Sequence, residues 1–323
     1  MFNLKYRPST FDEFIGNEYI IRGLLASYPK WPSTFLLVGP PGVGKTTLGR
    51  LIAKQLQCPN INIKEIDAGQ DRGIDKIRQV INEAYNRPLV GKIKVYIFDE
   101  CQGLTKEAQQ ALLKVTEEAP GNTYFIFCST DPQKIIKALQ ERCQNGFIAL
   151  QPLTNFELGV ILKNIAEKEG IKIENTVKDI AKLCILNAEG IPRRALMLFE
   201  KFYRYEKVEQ VSKELENVDE YIPDDILELM KALESKDYCK FLKIFADRKE
   251  KQYESLRITL GNIFKKKLLY AMINRTPTSG DAKIIDYQNI LSMFVQPVDN
   301  QIGDIELIYR FSVTLSKSLY ALR

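Results

Sequence analysis

Histidine is absent from this 323-residue sequence. Without imidazole, any catalysis must rest on carboxylates, lysine, arginine, hydroxyls or a bound metal ion. Six cysteines are present but form no Cys-x-x-Cys pair, which together with the lack of histidine argues against a zinc site. We expect reduced, mostly buried thiols at Cys58, Cys101, Cys128, Cys143, Cys184 and Cys239.

Long apolar runs are also lacking, and the first eight residues carry no apolar core of a secretory signal. These absences predict a cytoplasmic protein without a membrane partner. The net charge is only +5, so a nucleic-acid surface would have to come from local clusters of lysine and arginine. The length predicts two or three domains.

What the sequence does contain is a complete phosphate-binding loop of the pattern G-x-x-x-x-G-K-[ST]. It follows an apolar run at 34–38 and precedes helical apolar spacing at 47–56, which predicts a strand, a loop and a helix. Lys45 would reach the β- and γ-phosphates of ATP, and the Thr46 hydroxyl would bind Mg²⁺. The candidate nucleotide-binding residues are Gly39, Pro40, Pro41, Gly42, Val43, Gly44, Lys45, Thr46 and Thr47.

Strand and helix patterns alternate up to about residue 150, which predicts an α/β domain with a parallel sheet covered by helices. Beyond Pro152 the patterns are almost entirely helical. We therefore predict a P-loop domain at 1–150 and helical domains at 151–208 and 209–323. The predicted strands lie at 61–66, 94–98, 123–128 and 147–150, and the predicted helices of the second half at 155–170, 176–188, 192–205, 224–246 and 253–273.

A second nucleotide motif ends the apolar run at 94–98 with Asp99 and Glu100, as a Walker B strand does. Asp99 would hold Mg²⁺ directly or through water, and Glu100 would orient the attacking water. Alternatively, the two acids are a charged strand end before a solvated loop. The complete phosphate loop favours the first reading, which predicts a Mg²⁺-dependent ATPase.

In order and spacing, residues 4 to about 200 resemble the AAA+ sliding-clamp loader subunits, of the bacterial gamma/tau and replication factor C small-subunit types. The resemblance implies an AAA+ P-loop domain, a small helical lid and an all-helical collar domain. Besides the two nucleotide motifs, the matching segments are 4–16, 71–75, 125–132, 141–143 and 190–196.

The resemblance also implies three further groups around the γ-phosphate. Thr130 would be the sensor-1 hydroxyl, although it could be an ordinary strand-end threonine. Arg193 would be sensor 2. Its expected place in the first turn of a helix, where the helix dipole does not favour a cation, points to a ligand. Arg142 would be the arginine finger, acting in trans on a neighbouring subunit. Glu141 could pair with Arg142 or face solvent.

In the family, the adenine base lies against an N-terminal segment. Tyr6 offers a flat face for the base, but a packed N-terminal aromatic explains it equally well. The implied base-pocket residues are Tyr6, Arg7, Pro8, Ile15 and Gly16.

The implied partners are a sliding clamp, other subunits in a five-membered ring, and primer–template DNA held by its backbone. Arg72, Arg78 and Lys106 match DNA-contacting places, although each could be a solvated surface charge. The chain lacks the cysteine-rich zinc insertion of gamma/tau relatives after Cys58, while 130–134 looks bacterial. This mixture fits a bacterial cytoplasm or a phage-infected host cell.

The sequence thus predicts an ATPase motor subunit that loads a ring clamp onto primer–template DNA during replication, with hydrolysis stimulated by DNA and clamp. The alternatives are another DNA-associated AAA+ ATPase, such as a helicase loader or branch-migration motor, and a non-hydrolysing structural loader subunit. Intact Lys45, Thr46, Asp99 and Glu100 argue against the last of these.

Overall fold

A computed structural model describes residues 1–88, 90–218 and 224–235, together with isolated positions between 237 and 292. The chain divides into two compact units, Met1–Ser212 and Lys213–Arg323. The first unit contains both the expected P-loop segment and the expected lid segment. The boundary between those two segments, at residue 150, remains a prediction.

The first unit alternates strands and helices up to β5 and is helical afterwards, as predicted. Short 3-10 turns lie at Asn60–Asn62, Cys101–Gly103, Pro132–Lys134 and Gln144–Gly146. The strands are β1 (Thr34–Val38), β2 (Ile63–Asp67), β3 (Lys94–Asp99), β4 (Thr123–Ser129) and β5 (Phe147–Ala149). The described helices are α1 (Phe2–Lys5), α2 (Glu18–Ala26), α3 (Lys45–Gln55), α4 (Ile74–Tyr85), α5 (Lys106–Glu117), α6 (Lys137–Arg142), α7 (Asn155–Lys168), α8 (Asn175–Ala188), α9 (Pro192–Phe202), α10 (Val208–Val218) and α11 (Asp224–Glu234).

The strands form one parallel sheet in the order β2-β3-β4-β1-β5. The central strands are buried on both faces, which explains their uninterrupted apolar runs. On one face, Phe98 of β3 stacks on Phe127 of β4 with the ring centroids 5.0 Å apart. Because all strands point the same way, the ends of β1, β3 and β4 meet at one edge of the sheet, where the phosphate loop and Asp99 lie.

Several predicted boundaries differ from the observed ones. The strand predicted from Ile61 begins at Ile63, because Asn60–Asn62 form a 3-10 turn. The Asn62 amide holds this turn by donating to the carbonyls of Val90 (2.6 Å) and Ile93 (2.9 Å). The helix predicted for 192–205 ends at Phe202. The helix predicted for 224–246 ends at Glu234, and Ser235 and Asp237 are not helical, although helix resumes at Lys240. Most of the helix predicted for 253–273 lies outside the described residues.

The helical segment after the sheet begins with a capping box. Thr154 accepts a hydrogen bond from the Glu157 amide, and the Glu157 carboxylate accepts one from the Thr154 amide. The Leu153 amide donates to the carbonyl of Gly190, which joins the start of α7 to the loop before α9. This contact brings the start of α9 toward the sheet edge that carries the phosphate loop.

Five cysteines are buried thiols, as predicted, and Cys239 lies outside the described residues. Burial raises the pKa of Cys58 to about 11 and that of Cys143 and Cys184 to about 12. The same cause raises the pKa of Cys101 and Cys128 further. Within the described part of the chain, no helix is long and apolar enough to cross a membrane.

Candidate nucleotide-binding site

The phosphate loop connects β1 to α3 through residues 39–44. Its glycines Gly39, Gly42 and Gly44 have φ angles of +150°, +81° and +114°, which residues with a side chain rarely adopt. A Cβ on Gly39 would lie 2.6 Å from the Leu150 carbonyl oxygen. The loop therefore needs glycine both for its backbone conformation and for its close contact with the chain after β5. It leads into the N-terminus of α3, where backbone amides can bind phosphate.

Lys45 is the first residue of α3 and is only 5% exposed. Its ammonium donates to the carbonyl oxygens of Gly39 (2.9 Å) and Pro40 (3.1 Å). Burial lowers the pKa of Lys45, and the carboxylate of Glu100 opposes that shift. A buried cation held by neutral carbonyls alone is suited to exchange them for phosphate oxygens.

Thr46 and Asp99 meet at the base of the cleft. The Thr46 hydroxyl donates to Asp99 Oδ2 over 2.9 Å, and Asp99 Oδ1 accepts a weaker bond from the Glu100 amide. A hydroxyl and a carboxylate are the hard oxygen ligands that Mg²⁺ takes, usually together with waters and substrate phosphates. The donor set therefore fits the ion predicted for it.

Glu100 lies next to Thr130 at the ends of β3 and β4. The Thr130 hydroxyl donates to Glu100 Oε2 over 3.0 Å. Glu100 has a left-handed backbone with φ of +49°, an unusual conformation for a residue other than glycine and one common at functional sites. The contact arises because β3 and β4 are neighbours and end together.

Gln102 takes part in the same group, and sequence reasoning missed it. Its amide nitrogen donates to Glu100 Oε2 and to Thr130 Oγ1, and its amide oxygen accepts from the Ser129 hydroxyl. The sequence places Gln102 two residues after Glu100, but no motif marks it. Ser129 at the end of β4 and Thr130 directly after it are 27 and 28 positions away along the chain.

The start of α9 packs directly on the phosphate loop. A Cβ on Gly42 would lie 2.8 Å from Ile191 and 3.1 Å from the Arg193 Cβ. Pro192 opens α9 and Arg193 follows it in the first turn, exposed at the cleft. This is the predicted position of Arg193, and the contact with Gly42 explains why the lid segment reaches the nucleotide site.

Further cations line the same cleft, which has a volume of about 800 Å³, within the usual range for ligand sites. Burial lowers the pKa of Arg7, and nearby Arg50 adds to that shift while Glu65 opposes it. Arg50 itself forms a two-point ion pair with Glu65 across α3 and β2. Sequence reasoning missed Arg50, although its place on the helix after the phosphate loop is a usable signal.

The predicted base-pocket residues divide into two groups. Tyr6, Arg7, Pro8 and Ile15 line the cleft, whereas Gly16 is buried behind it against Leu153. The Tyr6 hydroxyl donates to Glu169 Oε1 over 2.7 Å, and this bond raises the pKa of Tyr6. Tyr6 is thus held by its hydroxyl and also lines the cleft. This position is compatible with a stacking face for adenine and with a packed aromatic.

Arg142 does not lie among the residues that line the cleft. It ends α6 on the surface and pairs with Glu117 of α5 at 2.8 Å, both side chains being about half exposed. Of the two alternatives for Glu141, the structure supports the solvent-facing one, because Glu141 is exposed and Glu117 of the adjacent α5 pairs with Arg142. The position suits a group that acts outside its own subunit.

The three candidate DNA contacts are all exposed but have different surroundings. Arg72 donates to the carbonyl oxygen of Gly69 over 2.6 Å. Arg78 lies inside α4, 3.5 Å from Asp75, rather than at the start of that helix. Lys106 opens α5 directly after its N-cap Thr105. They are surface cations within reach of solvent, and their roles remain predictions.

Comparison with known proteins identifies relatives in DNA replication. Residues 63–154 match the family model described as DNA polymerase III, delta subunit. The chain is 33% identical over 235 residues to DNA polymerase III subunit gamma/tau of Mycoplasma genitalium, covering 66% of this chain and 38% of that protein. It is 32% identical over 219 residues to DNA polymerase III subunit gamma of Buchnera aphidicola subsp. Schizaphis graminum, covering 61% and 59%. It thus spans less than two thirds of these relatives.

A solved structure shares the fold. The Thermotoga maritima RuvB Holliday junction branch migration motor superposes with a TM-score of 0.58 at 24% identity, covering 84% of this chain and 93% of that one. Replication factor C small subunit 1 of Pyrobaculum islandicum is 31% identical over 242 residues, covering 73% of this chain and 72% of its own length. With the phosphate loop, the Walker B acids and the parallel sheet in place, the chain belongs to the clamp-loader family of AAA+ proteins.

Proposed function

We propose that this chain is an ATP-hydrolysing motor subunit of a sliding-clamp loader. The observation that carries the proposal is the convergence of Lys45, the Thr46–Asp99 pair and Glu100 at one cleft, with Thr130 bonded to Glu100, in a chain of the clamp-loader family. The complete set argues for hydrolysis rather than a purely structural role. The likeness to RuvB concerns the fold alone and does not favour a branch-migration motor.

Within one subunit, each side chain has a distinct task. Lys45 exchanges the loop carbonyls for the β- and γ-phosphates, and the loop amides hold the remaining phosphate oxygens. Thr46 and Asp99 would hold Mg²⁺, which neutralises phosphate charge. Glu100 orients the attacking water, since phosphoryl transfer depends mainly on positioning and charge neutralisation. Arg193 approaches the phosphates from α9.

Arg142 completes the site of a neighbouring subunit. Its pair with Glu117 is exposed, and exposed ion pairs contribute only about 0–1 kcal/mol. A charged γ-phosphate from the neighbour can therefore displace Glu117 at small cost. This arrangement requires at least two adjacent subunits, and we propose the five-membered ring that the family resemblance implies.

DNA and the clamp would act as triggers for hydrolysis. Arg72, Arg78 and Lys106 are exposed cations that would meet DNA phosphates without reading bases, so binding would weaken as salt rises. ATP would assemble the subunits around primer–template DNA, and hydrolysis would release the clamp and the DNA.

The test is steady-state ATP hydrolysis by the reconstituted assembly, with and without a candidate clamp and primed DNA. We expect both ligands to stimulate hydrolysis, and we expect Lys45→Ala to abolish ATP-dependent clamp binding while Lys30→Ala, at an exposed lysine, leaves it intact. If neither the clamp nor primed DNA stimulates hydrolysis, the proposal is contradicted. Stimulation by four-way junction DNA but not by primed DNA would indicate a branch-migration motor instead.

A further inference from the structure

The Gln102 side chain joins the group proposed to activate water to the group proposed to sense the γ-phosphate. It lies in the 3-10 turn Cys101–Gly103, between the end of β3 and the start of α5. Its amide nitrogen donates to Glu100 Oε2 and to Thr130 Oγ1, at 2.7 Å for the latter. Since Thr130 also donates to Glu100, the three side chains form a closed ring of hydrogen bonds.

The orientation of the Gln102 amide follows from Ser129. The Ser129 hydroxyl accepts from the Asp131 amide (3.1 Å), so its own proton is free to point at Gln102 Oε1 (2.8 Å). The amide oxygen therefore faces Ser129, and the nitrogen faces Glu100 and Thr130. Both amide hydrogens and the amide oxygen of Gln102 have partners. Ser129 is fully buried, so this anchor is shielded from water.

The backbone that carries Gln102 is also held in place. A Cβ on Gly103 would lie 2.7 Å from the Ala68 carbonyl oxygen, so the turn rests closely on the chain after β2. The Thr105 amide donates to the Arg72 carbonyl oxygen over 3.2 Å. The turn is thus fixed against its neighbours, which makes Gln102 a rigid support for the flexible Glu100 side chain.

We propose that Gln102 is a positioning residue that aligns Glu100 with Thr130 for attack of water on the γ-phosphate. The inference rests on the proposed ATP hydrolysis. Gln102 and Thr130 both bind Oε2 of Glu100, which leaves Oε1 as the oxygen for the attacking water. Reaction rates depend steeply on such placement, and a shift of about 1 Å can cost up to about 100-fold.

The test compares Gln102→Met with Gln102→Ala and with Gln79→Met, a control at an exposed glutamine on α4. Methionine keeps the length and most of the volume of glutamine but makes none of its three hydrogen bonds. In the reconstituted assembly with clamp and primed DNA, we expect both Gln102 variants to lower kcat by about 10- to 100-fold. The KM and the Kd for ATP stay at the wild-type values, because Gln102 is not among the residues that line the cleft.

A second measurement, the kcat of a double variant, tests whether Gln102 acts through Glu100. Because Gln102 acts through Glu100, adding Gln102→Met to Glu100→Gln should lower kcat no further than Glu100→Gln alone. Independent, multiplied losses would overturn the inference.

Three other results would also overturn it. A wild-type kcat in Gln102→Met would mean that the side chain only fills space. A raised kcat would mean that it restrains Glu100. A loss of ATP affinity as large as the loss of kcat would mean that it supports the fold. In each case the wild-type assembly still hydrolyses ATP, so the proposed function stands. A wild-type assembly that binds ATP without hydrolysing it overturns both.

Discussion

Three polar or charged residues of the cleft are held by other groups of the protein. Lys45 is bound to loop carbonyls, Arg50 to Glu65, and Thr46 to Asp99. A buried cation without a partner is costly, which explains why Lys45 turns back onto its own loop. Binding of ATP would therefore be an exchange of partners, in which phosphate oxygens replace carbonyl oxygens around a preformed loop.

At the residue scale, substitution of Tyr6 tests whether its ring stacks on adenine or only packs within the protein. If the base stacks on the ring, Tyr6→Ala should weaken ATP binding by about 1–3 kcal/mol, the usual worth of a base on an aromatic side chain. Tyr6→Phe should retain the affinity, because it loses only the hydroxyl that binds Glu169. Calorimetric titration with ATP, and with inorganic triphosphate as a ligand without a base, measures both effects.

The control for Tyr6 is Tyr19→Ala, since Tyr19 is 91% exposed on α2. It should bind ATP as the wild type does. An equal loss of affinity for ATP and for triphosphate in Tyr6→Ala would indicate that Tyr6 supports the pocket through packing and does not contact the base.

The sequence predicts the site residues that belong to contiguous motifs. Lys45 and Thr46 follow the loop glycines directly, and Asp99 ends an apolar run, so local patterns suffice for them. Gln102, Glu117 and Glu169 cannot be found this way, because their partners come from other strands and helices. Spatial neighbours across a sheet edge leave no spacing rule in one sequence.

At the scale of elements, a buried lysine connects β3 to α4. Lys94 is 8% exposed at the start of β3. Its ammonium donates to the carbonyls of Glu83 and Ala84, each over 2.7 Å, and to that of Asn86. These carbonyls belong to the C-terminal end of α4, where the last carbonyls have no partner within the helix, and that of Glu83 also accepts from the Asn86 amide. Lys94 thus ends the helix that carries Arg78.

We expect Lys94→Met to lower the free energy of unfolding by about 1–3 kcal/mol, because it removes the Lys94 hydrogen bonds and takes the donor from the buried Ala84 carbonyl oxygen. Lys92→Met, at an exposed lysine two residues earlier, should change it by less than about 0.5 kcal/mol. Urea unfolding of the full chain, followed by far-UV circular dichroism, compares the two variants. Equal stability of both variants would show that the Lys94 bonds contribute nothing net.

The elements themselves were largely predictable. The central strands β1, β3 and β4 are buried on both faces, and such strands appear as uninterrupted apolar runs. The predicted start of β2 is wrong because the preceding turn depends on hydrogen bonds from Asn62 to Val90 and Ile93, about thirty residues away. A boundary set by distant contacts is not encoded in the local pattern.

At the scale of the whole molecule, one chain holds only part of the proposed catalytic site. Lys45, Asp99, Glu100 and Arg193 lie at one cleft, whereas Arg142 lies on the surface away from it. We therefore expect an isolated subunit to hydrolyse ATP slowly, because only assembly supplies the missing arginine. In other nucleotide hydrolases such an arginine contributes about 10³- to 10⁵-fold in rate.

The most direct test mixes two defective forms of the chain. Glu100→Gln removes the water-orienting acid but leaves Arg142, while Arg142→Ala removes the finger but leaves the rest of its own site, including nucleotide binding. Assemblies made from either variant alone should hydrolyse ATP far more slowly than the wild type. In a mixed assembly, an intact finger can meet an intact cleft, so the account predicts more hydrolysis than the two variants give separately. Hydrolysis no greater than the sum of the separate rates, with assembly of the mixture confirmed by native mass measurement, would contradict it.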